Sequence, residues 1–324
     1  MSNIDVVIPS YCVGKHVLGV INGILEYDFI RNIVVVDDAC PEQTGQLVAG
    51  EYKNNSRVII LTHEKNQGVG GAVCTGYQFA FNNNADLVIK IDGDGQMDPK
   101  HIPTMIKPVV DGKVDYTKGN RFYFPRHLQK MPFIRILGNS ALSLINKFCS
   151  GYWSIMDPTN GYTVLHRNAY NLLIPDNMAK DYFFESDMLY QLGNAHAVVR
   201  DIPLPAIYAD EQSHLKVSRV LLKFPLRYLK RFLKRIILRY FIRDFNFASL
   251  EIIFGGLLFT SGTIFGLYKW IGNHIAQTDT PAGTVMIVGI LMIVGFQLLL
   301  SALNYDVSHE PSVPLSYLQV EHDS

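Results

Sequence analysis

The sequence predicts an α/β domain built on a mainly parallel sheet, followed by a basic amphipathic interfacial helix and a two-helix transmembrane hairpin. Three observations carry this expectation. Over the first 110 residues, short Val/Ile-rich runs alternate with helix-length segments, the pattern of a parallel sheet covered by helices on both faces. Three of those runs end in polar clusters that would converge on one sheet edge. After residue 215 the composition changes: ten Lys or Arg and no acid lie between Lys216 and Arg243, and two long apolar runs follow.

Taken in order, Ile4–Ile8 is a strand ended by Pro9-Ser10-Tyr11, and Ile33–Val36 is a strand ended by Asp37-Asp38. Arg57–Leu61 is a third, and Leu87–Ile91 a fourth that stops at Asp92-Gly93-Asp94. Helical segments fall near 14–28, 43–54 and 69–84. Residues 111–215 are mixed. They hold a short strand before Gly119-Asn120-Arg121, a helix over 133–149, a polar loop Asp157–Tyr162, a helix near 181–193 and a strand near 197–202. The expected divisions are a catalytic-type domain over 1–214, juxtamembrane helices over 215–245, a hairpin over 246–304 and an acidic tail over 305–324. The spans within the hairpin are placed at about 247–268 and 282–303, each long enough to cross a bilayer.

Formal net charge is zero, yet this average hides the basic belt and a tail with four acids and no Lys or Arg from Asn304 onward. On a helical wheel Lys223, Arg227, Lys230, Arg231 and Lys234 share one face of the belt, and Leu222, Leu226, Leu229, Leu233 and Ile236 another. Beside a span, this reads as a helix at an anionic lipid surface rather than a nucleic-acid patch. The positive-inside rule then places the belt, the tail and both termini on the cytoplasmic side of a multi-pass protein. Cys12, Cys40, Cys74 and Cys149 have no paired spacing, which argues against a zinc site or disulfide framework. The N-terminus opens as a strand and lacks the charge and apolar core of a cleaved signal. Gly255-Gly256 and other small residues in the spans suit helix-to-helix packing and suggest a homo-oligomer through the hairpin.

In open α/β sheets ligands bind beyond the carboxyl ends of the strands, so the strand-end clusters are the candidate site. Asp92 and Asp94, set one apart between Gly93 and Gly95, offer hard oxygen ligands suited to Mg²⁺ or Mn²⁺ sharing a diphosphate. Pro9, Tyr11, Asp37 and Asp38 sit where a base and ribose could lie, with Tyr11 able to stack and Asp38 able to accept a hydrogen bond. Gly70 lies in Asn66-Gln67-Gly68-Val69-Gly70-Gly71, a glycine-rich helix start open to polar ligand atoms; it matches neither a P-loop nor a dinucleotide fingerprint. Arg121 has the donor fork to hold a phosphate, and Asp157, Glu185 and Asp187 are the remaining acids in suitable places.

Together, V-V-I-P-S-Y, V-V-V-D-D-A-C-P-E-Q-T, N-Q-G-V-G-G-A, K-I-D-G-D-G-Q-M-D-P, K-G-N-R-F and D-P-T-N-G-Y-T-V-L-H-R, in that order, resemble the family 2 glycosyltransferases. Within them the closest likeness is to the polyprenyl-phosphate glycosyltransferases, similar to dolichol-phosphate mannose synthase and the bactoprenol glucosyltransferases. The resemblance runs from about Ile4 to about Asp210. It implies a GT-A fold, with Asp38 at the nucleoside, Asp92, Asp94 and Gln96 at the metal and diphosphate, Arg121 at phosphate and Asp157 near the sugar or acceptor. Arg121, Arg126 and Lys216 are the candidates for the acceptor phosphate, although the family's Arg after Tyr208 has no match here.

The implied reaction is inverting, metal-dependent transfer of one sugar from a nucleotide-diphosphate sugar, UDP-linked, to polyprenyl (undecaprenyl) phosphate. Its setting would be the cytoplasmic face of a bacterial inner membrane, for cell-surface glycan or O-antigen (lipopolysaccharide) modification. Catalytic roles fall to Asp94, Arg121 and Asp157. An alternative acceptor is a sugar hydroxyl on a lipid-linked oligosaccharide, which needs a base from Glu185, Asp187 or Asp157. A more remote alternative is a membrane scaffold that binds nucleotide sugar without turnover.

Overall fold

The computed structural model describes residues 2–124, 133–205 and 217–318. Arg126 and Lys216, and the side chains of Leu222 and Lys223, lie outside the described residues. The chain divides into two compact units, one comprising residues 1–232 with 311–324, the other residues 233–310.

The first unit is built on seven strands: β1 Ile4–Ser10, β2 Ile30–Asp37, β3 Val58–Thr62, β4 Leu87–Lys90, β5 Tyr116–Asn120, β6 Thr163–His166 and β7 Val199–Pro203. They form one sheet in the order β3-β2-β1-β4-β6-β5-β7. Between the strands run α1 Val17–Leu25, α2 Thr44–Glu51, α3 Val69–Asn82, α4 Ile102–Val110, α5 Phe133–Ser150 and α6 Phe184–Asn194. β1, β2, β3 and β4 pair in parallel through βαβ crossovers. Their Val/Ile side chains alternate between two buried layers, one packed on α1 and α4, the other on α3 and α6. That two-sided burial is why the runs are continuously apolar rather than alternating.

The mixed middle of the sequence holds the element that shapes the site. β6 is antiparallel to both β4 and β5, and wedges between them. An antiparallel strand enters the sheet at the end where its parallel neighbours finish. The chain preceding β6, Asp157–Tyr162, is therefore delivered to the carboxyl ends of β4 and β5.

α7, Val217–Ile237, carries the basic belt, and its described arginines do not face outward together as the wheel suggests. Arg227 bonds both oxygens of Asp181 through Nη1 at 2.7 and 2.8 Å. Arg231 pairs with Asp187 at 2.7 Å and lies 4.9 Å over the ring of Tyr190. Tyr228 is buried between them, its hydroxyl 2.7 Å from that of Ser186. Leu226 and Leu229 are instead 71% and 52% exposed. The belt thus splits: arginines at i, i+4 dock the helix through the half-exposed Asp181 and the buried Asp187, and the leucine stripe faces out.

The compact unit also runs past residue 214 and takes back the segment after the hairpin. Leu315 is buried against the α3 and α6 layer, and its amide donates to Asp115 Oδ1 at 3.0 Å and Oδ2 at 3.2 Å. Asp115 is itself buried and also accepts from the Val198 amide at 2.7 Å, so the start of the expected acidic tail is a structural strap.

In the second unit, α8 Phe247–Ile275 and α9 Ala282–Ser308 are both long and apolar enough to cross a membrane. They pack antiparallel through small residues: a Cβ on Gly255 would lie 3.0 Å from the Gly295 carbonyl oxygen. Gly255, Gly262 and Gly295 are thereby used inside the hairpin, while Gly256 faces open space. At one end Asp306 takes two bonds from Arg235, each 2.9 Å, and one from Tyr240 at 2.5 Å.

Candidate active site

β4 ends the apolar core at Lys90, which is 1% exposed. Burying a lysine is costly unless it is paired, and here two carboxylates receive it: Asp92 at 2.8 Å and Glu185, from the first turn of α6, at 3.0 Å. Burial would lower the Lys90 pKa; the two carboxylates outweigh it and raise the pKa well above the ordinary lysine value. The ammonium is therefore a fixed positive charge that orients the Asp92 carboxylate. Asp94 accepts the Gln96 amide at 2.9 Å, an Asx-type turn that curls the strand end around the second carboxylate.

The loop brought in by β6 closes over this point. A Cβ at Gly161 would run into Lys90 Nζ and Asp92 Oδ2, so only glycine lets the loop approach this closely. At its start Asp157 adopts φ 52° and is 1% exposed. Arg121, at the end of β5, grips it with Nε to Oδ2 at 2.7 Å and Nη2 to Oδ1 at 2.8 Å. Burial alone would raise the Asp157 pKa; the Arg121 fork reverses this and holds it below the usual carboxylate value. Beneath the loop, buried Lys118 donates to the carbonyls of Asp157 at 2.8 Å and Gly119 at 3.1 Å, and pairs with Asp201 at 3.0 Å. Gln96, Arg121, Asn160, His101 and Tyr162 line one cleft at this edge.

On the other side of Asp92, Asp38 is 3% exposed and accepts from the amides of Gln67 and Gly68, each at 2.8 Å, and from His63 Nδ1 at 2.7 Å. Asp38 thus pins the glycine-rich loop to β2. Asp37 accepts from the amides of Cys40 and Gly45, each at 2.7 Å, and its role here is to cap the turn into α2. Tyr11 is 48% exposed beside them, with its ring free to stack on a base, while Pro9 is buried within β1. A Cβ on Gly70 would strike the Ala179 carbonyl oxygen and Phe184. The close approach that Gly70 permits is that of the protein's own segment before α6, rather than that of a ligand.

The structure therefore gathers Asp92, Asp94, Gln96, Arg121 and Asp157 at the ends of β4 and β5, with Asp38 and Tyr11 alongside. It separates Asp187, which is fully buried and held by Arg231 and the Ala179 amide at 2.8 Å; burial pushes its pKa up despite that arginine. It adds Lys90, Lys118, Asn160 and His101, to which the sequence reading assigned no role. A lysine inside an otherwise apolar strand was the visible signal for Lys90. No group of three or more His, Cys, Asp or Glu that could enclose a metal occurs among the described residues. Two carboxylates one residue apart, Asp92 and Asp94, suit a hard divalent cation that completes its shell with substrate oxygens.

Comparison with known proteins agrees with this arrangement. The chain is 29% identical over 237 residues to a UDP-N-acetylglucosamine–dolichyl-phosphate N-acetylglucosaminyltransferase of Methanococcus voltae, covering 69% of this chain and 93% of that one. It is 24% identical over 174 residues to an undecaprenyl-phosphate mannosyltransferase of Micrococcus luteus, covering 53% and 70%. Its fold matches glucosyl-3-phosphoglycerate synthase from Mycobacterium tuberculosis, solved with Mn²⁺ and UDP-glucose, at a TM-score of 0.51 and 18% identity, over 71% of this chain and 79% of that one. The fold is that of a GT-A glycosyltransferase. The model of the family described as "Glycosyl transferase family 2" matches residues 5–173, more than half of the sequence, and the chain belongs to that family.

Proposed function

We propose that this glycosyltransferase moves one sugar from a nucleotide-diphosphate donor, UDP-linked, to polyprenyl phosphate at a membrane surface, with inversion at the anomeric carbon. The observation that carries the choice of acceptor is the state of the three acids a hydroxyl acceptor would need as base. Asp157 is locked in the Arg121 fork, Asp187 is sealed under α7, and Glu185 is paired with Lys90. An acceptor that arrives already ionised needs none of them, and a phosphate monoester is ionised at neutral pH. The names of the archaeal and Micrococcus relatives support the same acceptor class.

Asp92 and Asp94, with Gln96 beside them, would hold Mg²⁺ or Mn²⁺. Such an ion neutralises charge on the departing diphosphate. The remaining roles belong to the chain itself. Lys90 fixes the Asp92 carboxylate; Tyr11 stacks the base; Asp38 sets the glycine-rich loop beneath the nucleoside. Arg121, one-third exposed while it grips Asp157, lines the cleft in which phosphate oxygens would lie. The loop Asp157–Gly161 excludes water from the sugar.

Membrane attachment through α8 and α9 fits a lipid acceptor. The chain leaves the catalytic unit before the hairpin and rejoins it at Leu315. This supports an even number of crossings, with both flanks on the donor side, the cytoplasmic face. The test is to incubate the purified full chain with a panel of nucleotide sugars, Mg²⁺ or Mn²⁺, and either undecaprenyl phosphate or a lipid-linked sugar, then weigh the lipid product. A product mass of one hexose unit added to undecaprenyl phosphate is expected. Addition only to the lipid-linked sugar would reject the reading.

A further inference from the structure

A second cleft, of about 390 Å³, opens beside the glycine-rich loop. Gln67 of the glycine-rich loop, Lys180, Asp181, Arg227, Lys230 and Arg231 line it. Its charges do not cancel. Arg227 is matched by Asp181 and Arg231 by the buried Asp187. Lys180 and Lys230, both exposed, make no ion pair among the described residues. Two uncompensated ammonium groups therefore face one cavity.

The same helix face carries an apolar stripe. Leu226, Leu229 and Lys230 fall within about 100° of one another around α7, by the 3.6-residue period. Both leucines are more than half exposed. A cavity lined by two lysines without an ion pair, on a helix that also exposes Leu226 and Leu229, suits an amphiphile with an anionic head and a hydrocarbon tail. A phosphate monoester carries about −1.5 to −2 at neutral pH and matches two lysines. A bulk phospholipid diester carries a single charge. The cleft is also rigidly tied to the reacting centre. The Lys180 carbonyl accepts the Gly71 amide at 3.2 Å, and the segment leads directly into Glu185, which bonds Lys90 and through it Asp92.

Resting on the acceptor class proposed above, we infer that Lys180 and Lys230 capture the phosphate head of the prenyl-phosphate acceptor, with the Leu226–Leu229 stripe receiving the start of its chain. This places acceptor capture on α7 and the segment before α6, apart from Arg121 and Arg126. The experiment uses the full chain in neutral phosphatidylcholine nanodiscs. It compares wild type, the double variant Lys180→Gln/Lys230→Gln, the charge-preserving Lys180→Arg/Lys230→Arg, and Lys107→Gln as an exposed-lysine control on α4. Equilibrium binding of undecaprenyl phosphate and the separate KM values for acceptor and donor are read. The glutamine pair should weaken acceptor binding and raise acceptor KM by about tenfold or more, with donor KM and melting temperature unchanged. The arginine pair and the control should behave as wild type. Unchanged acceptor binding in the glutamine pair, or an equal rise in donor KM, overturns the assignment. So does loss of binding to phosphatidylglycerol vesicles that lack undecaprenyl phosphate, which would make the cleft a general headgroup site. Wild-type protein that binds undecaprenyl phosphate at this cleft yet transfers no sugar to it would reject the proposed reaction and leave the binding site standing.

Discussion

Asp157 and Arg121 show how a single pair can set both stability and acid tolerance. Asp157 has a depressed pKa in the fold, so its stabilising contribution is fully present above the ordinary carboxylate value of about 3.9 and fades as pH falls below it. Thermal unfolding followed from pH 7 to pH 3 should show an acid loss of stability that Asp157→Asn flattens, with the variant less stable at neutral pH. Gly161 makes a sharper prediction. In Gly161→Ala the new methyl group meets Lys90 and Asp92, so donor turnover should fall by about a hundredfold or more while the far-ultraviolet spectrum is retained. Asp94→Asn should abolish metal-stimulated transfer and leave membrane association intact; full activity in that variant would remove the assigned role.

Among the elements, β6 and α7 account for most of what distinguishes the structure from a generic parallel sheet. β6 is a four-residue strand in a segment without clear periodicity, and its antiparallel insertion decides which loop faces the metal-type carboxylates. α7 was legible as amphipathic, but which of its cations would face inward was not. Arg231→Ala leaves Asp187 buried without its partner and should cost about 3–5 kcal/mol, measured as a fall in melting temperature. Lys234→Ala, on the same helix but exposed, should stay within about 0.5 kcal/mol of wild type.

For the whole molecule, the chain returns after the hairpin and Leu315 packs into the catalytic unit. Leu315→Ala removes a buried side chain from the α3 and α6 layer and should destabilise that unit by about 2–5 kcal/mol, read by differential scanning of the detergent-solubilised protein. Because Arg227, Arg231 and Arg235 are each paired with a carboxylate of the chain itself, any electrostatic attraction to a lipid surface should be smaller than the raw count of ten cations suggests. Sedimentation with vesicles should therefore persist at high salt, where screening is strongest, and Leu226→Glu/Leu229→Glu should disturb the juxtamembrane contact more than Lys230→Gln.

The sequence alone determined the alternating α/β architecture, the strand-end carboxylates Asp92 and Asp94, and two apolar helices long enough to cross a membrane. These depend on local periodicity and on turn chemistry, both of which a linear chain displays. Only the tertiary structure decided that Asp37 caps a turn, that Asp38 holds the glycine-rich loop, that Gly70 makes room for the chain itself, and that Lys90 and Lys118 anchor the site. Those roles rest on pairings between residues far apart in the chain, such as Lys90 with Glu185 or Asp115 with Leu315. Such a partner is chosen by how the layers stack, and nothing in the spacing of the residues announces it.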